Sequence, residues 1–192
     1  MISIGTYDPD FIKLADEIVK RYDVAREKAS TIALHDIELT AYILVASPQG
    51  TAGDALPPGL DGVAKQLQSV FGYRDLKLLD AAVVRGHESH SGEMSGSLAA
   101  SSNPGKGPQS YQLRFKDAAV RQTDGHTVIY LNEFRFGVRV GIETSPGVIG
   151  WSEVNFNTDL NITDSQKVVV GKSKFGSADQ ALILVLSARV VS

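Results

Sequence analysis

The chain has 192 residues, 43% of them hydrophobic, enough for one large domain or two small ones with a real core. Its 19 Lys and Arg stand against 22 Asp and Glu, and the net charge of −3 disfavours nucleic acid or an anionic membrane surface as a partner. The absence of cysteine excludes disulfides, thiolate metal sites and thiol catalysis.

The opening MISIGTYDPD has no basic segment followed by an apolar stretch, so the chain as given shows no signal peptide. Asp8 is placed to cap a helix that Pro9 begins, and Phe11, Leu14, Ala15, Ile18, Val19 and Tyr22 follow at helical spacing. In HDIELTAYILVAS, Ile37, Leu39, Ala41, Ile43 and Val45 alternate as a strand does. After a Pro- and Gly-containing loop, Leu60, Val63, Ala64, Leu67, Val70 and Phe71 share one helical face. LKLLDAAVVR then reads as a second strand. An N-terminal α/β module over residues 1–85, a helix followed by a strand–helix–strand unit, is the expectation.

Residues 86–110 are rich in Gly and Ser and bury too little apolar surface to order fully, which predicts a long hairpin, loop or linker. Beyond them the period is two. Tyr111, Leu113 and Phe115 oppose Gln112, Arg114 and Lys116; Phe134, Phe136, Val138, Val140 and Ile142 oppose Arg135, Arg139 and Glu143. Residues 111–192 are expected to form an antiparallel sheet or sandwich, either as a separate region or as one continuous domain with 1–85. The fold class predicted is α+β. The longest apolar run, ALILVL at 181–186, falls far short of the roughly 20 residues of a membrane-spanning helix.

Three groups of residues invite a chemical reading. VVVGKS at 168–173 ends like a phosphate-binding loop. The residue five before Gly171, however, is Gln166 rather than glycine, and the segment leads into a turn and a branched strand instead of a helix, so it reads as one strand of a hairpin. His87, Glu88, His90 and Glu93, joined by His126 from a β segment, are the candidate metal ligands, and a metal-dependent enzyme using the 87–93 loop is the alternative function they support. The same loop is explained by solvation, and a mobile loop gives no support to orient the rings. No serine lies in a Gly-x-Ser-x-Gly turn, so no catalytic residue and no cofactor is assigned. Phe134 and Phe136 alternate away from Arg135 and Arg139, so rings and cations do not share the surface that a nucleic-acid-binding sheet needs.

TDLNITDSQKVVVGKS followed by QALILVLSARVV is similar to the closing part of the secretin homology region of bacterial outer-membrane secretion channels. Asp164, Gln166, Val168 to Gly171 and Leu182 to Val191 carry the match over residues 158–191. Ser165, Lys172 and Ala188 depart from that pattern. The resemblance implies a non-enzymatic, self-associating structural protein of the bacterial envelope, in the periplasm or envelope where a signal peptide has been removed, with other envelope proteins as further partners. A virion or filament subunit is a third reading of the same β-rich composition. ALILVL is apolar on both faces, which requires cover on each side, from the chain's own layers or from a neighbouring copy. Leu184 and Val185 are therefore taken as interface residues of a homo-oligomer, together with Trp151, for which a core position is the alternative.

Overall fold

The computed structural model describes residues 34–48, 56–98, 109–174 and 180–191, which lie in one compact unit spanning Leu34–Ser192. Among the described residues there are nine strands and a single helix, in the order β1 (Asp36–Ser47), α1 (Asp61–Phe71), β2 (Asp75–His87), β3 (Gly92–Leu98), β4 (Gln109–Phe115), β5 (Asp117–Thr123), β6 (His126–Ser145), β7 (Val148–Thr163), β8 (Lys167–Lys174) and β9 (Ala181–Val191). This corrects the α+β expectation: the fold is an antiparallel β-sandwich. The strand–helix–strand segment exists as predicted, with β1 paired antiparallel to β2 on one side and to β9 on the other. The helix expected from Asp8 lies outside the described residues.

Sheet A runs β2-β1-β9-β8, so it is built from both ends of the sequence. Sheet B runs β3-β4-β6, with β5 beside β4 on the same side of β6 and β7 along the other side. The core follows from alternation. Ile37, Leu39, Ala41 and Ile43 of β1 and Leu182, Leu184 and Leu186 of β9 meet Leu113, Phe134, Phe136, Val138 and Ile162 of sheet B in one buried cluster. The opposite face of sheet A is dry as well near α1, where Leu44, Ala46, Ile183 and Val185 pack with Leu60 and Leu67. This explains the unbroken apolar run of β9: it is a central strand between β1 and β8 with a sheet on one side and a helix on the other.

Residues 92–98, within the segment expected as a long hairpin, loop or linker, form β3 and pair with β4. Gly92 faces Phe115 and Gly96 faces Tyr111 across the pair, and a Cβ on either glycine would stand 2.3 or 2.4 Å from the ring. The glycines are the space in which the cross-strand aromatics lie, so a composition that reads as loop is a strand built for close packing.

β6 takes one extra residue against β7 between Leu131 and Phe134, a β-bulge with Glu133 at φ 48°. Asp159 accepts the Glu133 backbone N–H at 2.7 Å, and Lys116 donates to the Glu133 carboxylate at 2.6 Å. The bulge lies where β6 changes partner from β5 to β4.

Candidate functional site

The predicted metal ligands do not converge. His87 pairs through Nδ1 with Asp36 at the paired ends of β1 and β2, and His90 Nδ1 lies 3.0 Å from the Glu88 backbone oxygen. Glu93 accepts from Gln112 across the β3–β4 pair at 2.6 Å, while His126 starts β6 opposite Thr123. Among the described residues no three His, Asp or Glu side chains gather in ligand geometry.

The residue of that loop with most structural consequence is Glu88, read from the sequence as a candidate ligand beside His87 and placed by the structure as a tie between strands. One carboxylate oxygen accepts the Val120 N–H at 2.8 Å; the other lies 2.9 Å from His35 Nδ1. Glu88 thus ties the start of β1 to β5, across the seam between the two sheets. Burial pushes its carboxyl up, but the hydrogen bonds from His35 and from the Val120 backbone outweigh that, and the group lies below the usual carboxylate value. Glu38 is a comparable tie within sheet A: a guanidinium from each neighbouring strand meets it, Arg85 at 2.7 Å and Arg189 at 2.6 Å. Tyr111, pushed up to about 12 by burial and by its hydrogen bond to Asp80, links the sheets near β3.

The Gly-Lys-Ser segment has a packing explanation. Gly171 lies on β8 beneath the Phe156 ring, which would stand 2.6 Å from a Cβ there, and Phe156 stacks in turn on Phe136. Lys172 extends over the rings of Phe71 and Tyr73, at 4.6 and 5.4 Å, where it clips the end of α1 to β8.

Of the three proposed interface residues, Leu184 and Val185 are fully buried inside the chain, and Trp151 stands at the surface, 46% exposed. Arg139 lies 4.5 Å from the Trp151 ring centroid. Exposed backbone edges are a different resource. Across its β3-β4-β6-β7 section, sheet B has four strands, each antiparallel to the next. Its two edges, β3 and β7, therefore run in opposite directions. The edge strands of the two sheets also differ in charge: β8, at the edge of sheet A, carries Lys167, Lys172 and Lys174 in eight residues, whereas Glu93 is the sole charged residue of β3. Lysines on an edge oppose pairing with another chain, and β3 lacks that protection.

No helix among the described residues is long and apolar enough to cross a membrane. No protein-family model matches the chain, and no curated protein matches it in sequence. Solved structures do resemble it. It is similar to the type II secretin GspD from enteropathogenic Escherichia coli, at 8% identity and a TM-score of 0.47, over 97% of this chain and 75% of that one. It is similar to the Klebsiella pneumoniae type II secretion system outer membrane complex of PulD, PulS and the PulC HR domain, at 11% identity and a TM-score of 0.46, over 96% of this chain and 44% of that one. It is also similar to the InvG secretin domain β-barrel from the Salmonella SPI-1 injectisome, at 10% identity and a TM-score of 0.39, over 98% of this chain and 69% of that one. GspD and InvG are named as secretins, the family that residues 158–191 resemble in sequence.

Proposed function

We propose that the protein is a non-enzymatic structural component of the bacterial cell envelope that assembles with copies of itself through the edges of sheet B. The observation that carries this is the pair of edges β3 and β7. With four strands between them counted inclusively, β7 of one copy placed beside β3 of the next continues an antiparallel sheet without reversing either subunit. A repeat of that contact is head-to-tail, and head-to-tail contacts close into rings when the rotation per subunit permits. Sheet twist supplies such a rotation. The envelope placement draws on the secretin-like hairpin at 158–191.

Light scattering on the protein at high micromolar concentration, with negatively stained micrographs of the same sample, tests the proposal. Masses at multiples of the protomer and ring or fibre particles are expected. A monomer throughout, with no particles, contradicts it.

A further inference from the structure

The outer face of sheet B holds an open trough of about 650 Å³ whose walls come from β3, β4, β6 and β7. It exists because of one cross-strand row. Gln112, Gly137 and Asn155 are aligned across β4, β6 and β7, and Gly137 leaves the middle of the row without a side chain. A Cβ there would stand 2.8 Å from the Asn155 side-chain oxygen, so the amide leans into the space the glycine vacates. On the β3 side of the trough are the hydroxyls of Ser95, Ser97 and Ser110. On the other side, one row further along, Arg139 meets Glu153 at 3.7 Å and lies over the exposed Trp151.

The chemistry of this lining is selective. Hydroxyls and carboxamides donate and accept at once, so they match a ligand that does the same at many points. The cation among the trough's lining residues, Arg139, faces the Glu153 carboxylate, while Arg114 and Arg135 flank the same row on its other side, so a polyanion is the competitor that the test includes. Beyond the trough's lining, past Glu153 on β7, stands the half-exposed indole of Trp151 with Arg139 over one ring face; an aromatic face is complementary to the C–H groups on the apolar side of a pyranose ring. Broad polar recognition beside one aromatic platform is the pattern of an oriented small-molecule site. We infer that the outer face of sheet B binds an uncharged glycan chain along the Gln112–Gly137–Asn155 row, with Trp151 stacking on a sugar ring. The site needs no second copy of the chain, so it can fail or hold independently of self-association.

Trp151 is the single tryptophan, which makes its fluorescence a direct reporter. The unmodified protein is titrated with chitohexaose, with maltohexaose and, as the competing macromolecule, with a twelve-residue oligothymidylate. A saturable change with at least one oligosaccharide, at a Kd of about 1 mM or tighter, is expected. Gln112→Ala and Asn155→Ala, both on the exposed face and outside the core, weaken it at least fivefold by calorimetry. Lys167→Ala on sheet A leaves it unchanged. The inference is overturned if neither oligosaccharide saturates by about 10 mM, if the oligothymidylate binds more tightly than both, or if binding survives both trough substitutions.

Discussion

Sheets A and B are similar in strand number and opposite in use. Sheet A is dry on both faces where β9 runs, with Leu182 to Leu186 all fully buried, and its β8 edge is lined with lysines. Sheet B buries one face and leaves the other wet, and among the described residues its edges are the long β7 and the nearly uncharged β3. Burial on both sides commits a strand to folding, since any change is felt in the core. A sheet with one wet face and open edges has surface left over for recognition. Both proposed contacts, edge pairing and the trough, therefore draw on sheet B, while sheet A is the more fully committed to the core.

The largest effect that would break this contrast is at β9. Leu184→Arg is expected to abolish folding, and Leu184→Ala to cost about 2–5 kcal/mol in urea unfolding, whereas Gln112→Ala on the wet face of sheet B stays within about 0.5 kcal/mol. Equal losses at the two positions would erase the distinction. A matched pair of glycine substitutions sharpens it. Gly171→Ala drives a methyl into the packed Phe156 ring and is expected to cost about 1–3 kcal/mol. Gly137→Ala meets only the end of the Asn155 side chain and should cost less than about 0.5 kcal/mol.

The seam between the sheets gives a pH test. Glu88 lies below its ordinary value of 4.5 in the folded chain, so its contribution is complete above that value and is lost as pH falls through the lower, folded one. Thermal stability of the unmodified protein should therefore drop below about pH 4.5, and Glu88→Gln should flatten part of that drop. An unchanged acid limb in the variant removes Glu88 as the tie. The smallest effect concerns Lys172: its replacement by Ala should cost about 0.5–1 kcal/mol from the lost contacts with Phe71 and Tyr73, with no ATP binding lost, because none is expected.

Alternation made most of the strands legible: Ile37, Leu39, Ala41 and Ile43 face the core as their spacing predicts, as do Tyr111, Leu113, Phe115, Phe134 and Phe136. The two-sided burial of ALILVL was legible too, but the identity of its cover was not. With few helices in view, the sequence leaves the cover of Leu184 and Val185 open between the chain's own layers and a neighbouring copy; sheet B packs on Leu184 and α1 on Val185. The pairing of β1 with β9 spans nearly the whole sequence, and no local pattern announces such a partner. β3 was hidden because Gly92 and Gly96 lower strand propensity, and their purpose shows only when Phe115 and Tyr111 are seen opposite them. The trough row was equally invisible, since Gln112, Gly137 and Asn155 become neighbours only through the register.

Edge pairing between copies is tested most directly by cysteines placed in a chain that has none of its own. Within one subunit β3 and β7 are separated by β4 and β6, three strand spacings or about 14 Å, too far for a disulfide, which needs Cα atoms within about 7 Å. Glu93→Cys or Ser95→Cys combined with Glu153→Cys or Asn157→Cys, oxidised at high protein concentration, should give a ladder of disulfide-linked oligomers in at least one combination and none with either single variant. Disulfide-free monomer from all four combinations would contradict assembly through the edges of sheet B.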